Sequence, residues 1–246
     1  MSAYYNEIDP YAAQWLRNLI TAGHIAPGDV DERSIKEVKA DDLKGYTQCH
    51  FFAGIGGWSY ALRLAGWPDA RPVWTGSCPC QPFSEAGQGR GFADPRHLWP
   101  EFYRLIQLSS PSIIFGEQTP RATVWLDGVC ADLETLGYAV AAAVLPACCT
   151  DAPHLRERIF FVSNSESSQA RPAQSYNGDS QTKIGRPNDP SSFGRFTSGD
   201  GWTYRLPKPE ISGVVDGFPG CVEQISAYGN AIVPQVAAEF IMACSP

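Results

Sequence analysis

The stretch from Thr47 to Ala65 constrains the fold more than any other. Thr47-Gln-Cys-His-Phe-Phe52 has the composition of a short strand, Ala53-Gly-Ile-Gly-Gly57 of a tight turn, and Trp58-Ser-Tyr-Ala-Leu-Arg-Leu-Ala65 of a helix that starts at once. A strand that turns on glycines directly into a helix is the repeating unit of a parallel sheet covered by helices. More such units surround it. Asp9 as cap and Pro10 at the first helical position start a helix with Tyr11, Ala12, Trp15, Leu16, Leu19 and Ile20 on one face, ending at Gly23. Val73–Ser77 and Ser112–Phe115 read as strands, the second running into Gly116-Glu117. Residues 122–136 read as a helix with Val124, Leu126, Val129 and Leu133 apolar, Tyr138–Leu145 and Arg158–Val162 as strands, and Val236–Cys244 as a final helix. The expected class is α/β, a doubly wound, mostly parallel sheet.

From Ser163 to about Gly201 the texture changes to Ser, Asn, Gln, Gly and Pro with no period, as in a functional loop region or disorder. This places a small polar insertion, residues 163–206, in a domain formed by 1–162 and 207–246. The 246 residues, 43% hydrophobic, suffice for one sizeable core. No run of eighteen apolar residues occurs, and Glu7 and Asp9 come too early for a secretion signal, so a cytoplasmic protein without a membrane partner is expected. The eight cysteines form no framework of spacings and read as reduced thiols. Net charge is −7, and only residues 151–210 carry a basic excess, eight against seven. A nucleic-acid partner would therefore have to meet a local cleft rather than a global field.

Chemistry concentrates at Gly76-Ser-Cys-Pro-Cys-Gln-Pro-Phe-Ser84. Cys80 lies between Pro79 and Pro82 after an apolar strand, and the two prolines stiffen the turn that presents its thiol. Carboxyl ends of strands are where open α/β folds hold their sites. Cys78 reads as structural, because no second Cys/His cluster accompanies the Cys-X-Cys pair and Cys148-Cys149 is poor ligand spacing; no metal is expected. Glu117 follows a wholly apolar strand, which favours a cleft over the surface. Arg156 and Arg158 point to one face of a strand with Glu157 opposite, and alone would be a solvated stripe. The glycine turn alone could serve helix packing, or could bring backbone N–H groups and a helix N-terminus to an anionic ligand.

Together these residues resemble the DNA (cytosine-5)-methyltransferase family. Phe52-Ala-Gly-Ile-Gly-Gly57 looks like its cofactor turn, Pro79-Cys80-Gln81 its nucleophile motif, and Glu117 the acid of its Glu-Asn-Val motif. Arg156-Glu-Arg158-Ile-Phe-Phe-Val162 looks like its paired-arginine strand and Gly229-Asn230-Ala231 its closing motif. Pro79 follows Gly57 by only 22 positions, where the family inserts two more strand–helix units. Those units resemble segments upstream instead: Tyr5-Asn-Glu-Ile-Asp-Pro-Tyr-Ala-Ala-Gln14 the second motif and Gly28-Asp29-Val30 the third. The alternative is an unrelated helical extension over residues 1–45. Gln118 and Thr119 stand where the family has Asn and Val, and His154 where it has Gln, which bears on rate and geometry.

The resemblance implies a Rossmann-like fold and S-adenosyl-L-methionine as cofactor. It would be held by Phe52, Ala53, Gly54, Ile55, Gly56 and Gly57, by Glu7 and Ile8, by Asp29 and Val30, and by Pro79, Asn230 and Ala231. It further implies Cys80 as nucleophile at cytosine C6, Glu117 as the acid near N3, Arg158 holding O2, and Arg156 ordering the site. The target would be a cytosine flipped from double-stranded DNA. Residues 84–100 would act as a closing lid, with Gln81, Ser84, Gln88, Arg90 and Arg96 meeting the DNA. Base readers in the insertion could include Arg171, Gln174, Lys183, Arg186, Asn188 and Arg195. The expected species is a monomeric bacterial or phage-borne modification enzyme. Two other readings stay open: methylation of cytosine in RNA, and a silent DNA-binding protein of the same fold.

Overall fold

Neighbouring strands in this chain settle beside one another in space rather than in sequence order. The structure is a computed structural model, which describes residues 2–79, 97–120, 122–150, 156–165, 195–197, 203–205 and 231–244. Strand β1 (Ser2–Asn6) pairs in parallel with β2 (Gly28–Asp31) on one side and with β3 (Tyr46–Phe51) on the other. Parallel pairing continues through β4 (Val73–Gly76) to β5 (Ile113–Gln118). β7 (Arg158–Asn164) is antiparallel to β5 and to the edge strand β6 (Ala139–Leu145). The order across the sheet is β2-β1-β3-β4-β5-β7-β6, parallel except at β7.

Helices α1 (Pro10–Thr21), α2 (Gly57–Leu64), α3 (Trp99–Ser109), α4 (Thr123–Thr135) and α5 (Pro234–Cys244) cover both faces. Alternation along the strands sorts the layers. Ile114 and Phe161 face Trp74, Phe102, Leu105, Trp125 and Val129, and thus α3 and α4. Phe115 and Phe160 face Trp58, Leu62, Val236 and Phe240, and thus α2 and α5. A third cluster, Ala3, Tyr5, Leu16 and Ile25, seats α1. This is a doubly wound, Rossmann-like α/β sandwich, and its strand order reverses between β1 and β3, where such folds bind ligands.

Local signals account for the elements. Asp9 Oδ1 accepts from the backbone N–H of Tyr11 and Ala12 at 2.8 and 3.1 Å, capping α1, and Gly23 leaves the helix at φ 72°. Residues 1–45 supply two strands to the sheet, as the upstream strand–helix reading expects, and the alternative of a helical extension falls away. Two expectations need correction. Val124 is 66% exposed while its neighbour Trp125 is buried, because the sheet, and not the apolar run of α4, decides which side faces inward. Arg156 lies before β7 with φ 27°, off the strand and its alternation. Within the polar insertion, β8 (Arg195–Thr197) and β9 (Thr203–Arg205) form an antiparallel ribbon, where the sequence suggested no regular structure up to about Gly201.

Candidate active site

The carboxyl ends of β1, β3, β4, β5 and the start of β7 converge on two adjoining groups of residues. The first surrounds the glycine turn. β3 ends at Phe51, Phe52 takes φ 52°, Gly54 φ 54°, and Gly56, at φ 84°, caps α2. A Cβ added at Gly54 would meet nothing within 4 Å, so the turn presents open backbone on that side. Ala53 N–H donates to Asn6 O at 3.0 Å. Gly54 N–H donates to Glu7 Oε2 at 2.7 Å, and Asp9 N–H to Glu7 Oε1 at 2.9 Å. Burial pushes the Glu7 carboxyl above its ordinary range, opposed by these backbone donors. Glu7 and Phe52–Gly57 thus meet, and Ile8 stands beside them, 65% exposed.

Asp29 and Val30 are placed differently. The Asp29 carboxylate accepts from Tyr46 Oη at 2.8 Å, two residues short of the carboxyl end of β2, and Val30 packs into the α1 cluster. The acid at that end of β2 is Asp31, which the sequence did not single out. It accepts from Tyr4 Oη at 2.6 Å and from Arg33 Nε and Nη2 at 3.0 and 2.7 Å. Only the pairing register, Asn6 against Asp31, brings it level with Glu7.

The second group centres on Glu117, in β5 and 8% exposed. Arg158 Nε approaches Glu117 Oε1 at 2.8 Å. Burial pushes the Glu117 carboxyl up to about 7, against the Arg158 and Arg156 charges and a hydrogen bond from Ser77. Arg156 turns elsewhere, its Nη2 donating to Ala231 O at 2.6 Å and so tying the approach to β7 to the lead into α5. Gln118, wholly buried, donates from Nε2 to Cys78 O at 3.3 Å and fastens β5 to the residue before Pro79. Cys78 is buried, and burial pushes its thiol up, away from the reactive thiolate form. Trp58 Nε1 donates to Ser77 Oγ at 3.0 Å. Neither Ser77 nor Trp58 was singled out as a site residue, and nothing in their spacing could signal that two elements 19 residues apart meet at an acid.

Cys80, Gln81, Ser84, Gln88, Arg90, Arg96 and Asn230, with His154 and the base readers of the insertion other than Arg195, lie outside the described residues. The described group can hold an anion or a sugar edge at the glycine turn, and a proton at a buried carboxyl beside a cation. Among the described residues no cluster of His, Cys, Asp and Glu could hold a metal ion, and no helix is long and apolar enough to cross a membrane.

Residues 69–192, half of the chain, match the model of the C-5 cytosine-specific DNA methylases. The chain belongs to that family. Among its relatives are the type II methyltransferase M1.HphI of Haemophilus parahaemolyticus, 41% identical over 98 residues, and M.AluI of Cellulosimicrobium cellulans, 32% identical over 115 residues. The matches cover 37% and 41% of this chain, and 26% and 22% of those proteins. M.HgiCII of Herpetosiphon aurantiacus is 29% identical over 163 residues, 49% of this chain and 37% of that protein. This methylase-family chain thus spans only about a quarter to a third of the length of such relatives. Among solved structures, a Spodoptera frugiperda DNMT2 mutant covers 71% of this chain and 45% of its own, at 13% identity and TM-score 0.47.

Proposed function

We propose that this chain transfers a methyl group from S-adenosyl-L-methionine to C5 of a flipped-out cytosine in double-stranded DNA. The observation that carries the reading is the Glu117 carboxyl, buried at the carboxyl end of β5 and paired with Arg158 at 2.8 Å, with the neighbouring Gln118 fastened to the carbonyl of Cys78, the residue before Pro79. Membership of the DNA methylase family supports DNA as the substrate.

C5 of cytosine is a weak nucleophile until an electron pair is fed into the ring. The Cys80 thiolate supplies it by adding to C6, and the charge that moves toward N3 is met by the proton of Glu117. A carboxyl held near neutrality can give that proton and take it back. Arg158 orients Glu117 and offers a fixed donor to the base, while Arg156 braces the site through Ala231. Loss of the C5 proton then restores the ring double bond and expels the Cys80 sulfur. The left-handed glycine turn, its open face at Gly54, the α2 N-terminus and the Glu7 carboxylate fit an amino-acid-bearing nucleoside, with Phe52, Ala53, Ile55, Gly56, Gly57 and Ile8 around it. Asp29, Val30, Pro79, Asn230 and Ala231 complete the proposed cofactor contacts. S-adenosyl-L-methionine, when bound, supplies the electrophilic methyl group. Residues 1–162 and 207–246 form the catalytic domain in this reading, and 163–206 recognise the target.

The test is transfer of labelled methyl from S-adenosyl-L-methionine to separate duplex DNA and RNA pools. We expect 5-methylcytosine in DNA alone, and none with Cys80→Ala. Label confined to RNA, or label that survives Cys80→Ala, would overturn the proposal.

A further inference from the structure

We infer that Ser77, locked in place by the Trp58 indole, is a positioning residue that holds the Glu117 carboxyl and donates a hydrogen bond to it. The inference rests on Glu117 being the acid of the proposed reaction. An indole N–H only donates, so at the 3.0 Å contact between Trp58 Nε1 and Ser77 Oγ the hydroxyl oxygen must accept. The single hydroxyl hydrogen of Ser77 is then left to donate, and the parallel register of β4 and β5, Gly76 against Gly116, sets Ser77 level with Glu117, whose carboxyl it draws downward. Trp58 has little freedom to let Ser77 turn away, since its ring is 5% exposed and lies 6.0 Å from both Phe115 and Phe160, centroid to centroid.

Two donors of different kinds therefore meet one buried carboxyl. Arg158 brings charge from β7, with Arg156 contributing from just before that strand; the end of β4 offers the neutral Ser77 hydroxyl, and α2 the uncharged Trp58. Both donors favour the ionised carboxyl and oppose the burial that favours the neutral one. Ser77 is thus one of the groups that bring Glu117 down toward neutrality. The same chain of contacts runs from the first turn of α2, beside the glycine turn, to the acid, so the seat proposed for the cofactor and the proton donor are mechanically joined.

The test is a carbon-13 NMR titration of the full chain with labelled glutamate carboxyls, Glu117→Gln identifying the resonance. It needs neither cofactor nor nucleic acid, so an inactive protein would sink the proposed function and leave this inference still readable. Wild type should titrate near neutrality. Ser77→Ala should move the midpoint up by about 0.5 to 1 unit, Ser77→Thr, which keeps the hydroxyl, should restore it, and Trp58→Phe should shift it upward by less. An unchanged or lowered midpoint in folded Ser77→Ala would overturn the inference. Should that variant not fold, Ser77→Gly, which also lacks the hydroxyl, answers the same question. In the methyl-transfer assay the alkaline limb of the rate should move upward with the midpoint, which a purely structural role for Ser77 would not produce.

Discussion

At Glu117 burial favours a neutral carboxyl while the neighbouring arginines favour a charged one, and burial outweighs them, leaving the group at about 7. That balance links the residue to the stability of the chain. A carboxyl whose folded value lies above its ordinary 4.5 binds protons more tightly when folded. Its contribution is therefore fully present below 4.5 and is lost as pH rises through about 7. Compared with Glu117→Gln, which cannot titrate, wild type should lose up to about 3 kcal/mol of stability between pH 4.5 and pH 8. Urea unfolding at both pH values measures it, and a wild-type-minus-variant difference that does not change with pH would contradict the assignment. Cys78 shows the opposite use of burial. Two positions before the proposed nucleophile, its thiol is sequestered and its carbonyl serves Gln118, so one Cys-X-Cys pair separates a structural residue from a reactive candidate.

Among the elements, the glycine turn has two separable constraints. Gly54 needs its left-handed φ of 54° but has open space around it, whereas a Cβ on Gly57 would lie 2.7 Å from Ile232 Cγ1. Gly54→Ala should therefore cost about 1 kcal/mol of backbone strain, and Gly57→Ala about 1–3 kcal/mol through forced movement of the lead into α5. Paired denaturation curves distinguish them. If Gly57→Ala proved neutral, the packing of α2 against α5 would be looser than the structure has it. These constraints also explain what could be read beforehand. β3, its turn and α2 were legible because strand pattern, glycines and helical spacing follow one another without a gap, and α1 because Asp9 and Pro10 mark its start. The facing of α4 was not legible, since Val124 and Trp125 are both apolar and only the Phe102 and Phe161 side of the core selects between them. Ser77 and Trp58 were not legible at all, because their meaning lies in a contact made across the sheet.

For the whole molecule, the governing fact is that β3 lies between a neighbour that precedes it in the chain and one that follows it. Removing residues 1–45 would strip β1 and β2, leave one edge of Tyr46–Phe51 unpaired, remove the whole Leu16 and Ile25 cluster, and take Glu7 from Gly54. We expect the truncated chain to lose cooperative urea unfolding and binding of S-adenosyl-L-methionine, since an open apolar edge and an empty layer cannot be solvated cheaply. Placement along the chain, by contrast, should matter little. The amino end of β1 sits level with the start of β3, Ser2 against Tyr46, and Arg63 near the end of α2 donates to Gly23 O at 2.5 Å. The exit of α2, the entry to β1 and the approach to β3 therefore share one end of the sheet, where short connections suffice. Moving residues 2–45 to follow Gly66, with flexible joints, should restore the cooperative transition and the binding that deletion abolishes. A rearranged chain as unfolded as the deletion would mean that the β1-α1-β2 unit must fold from its present position, and would sink the view that this sheet is specified by neighbours in space.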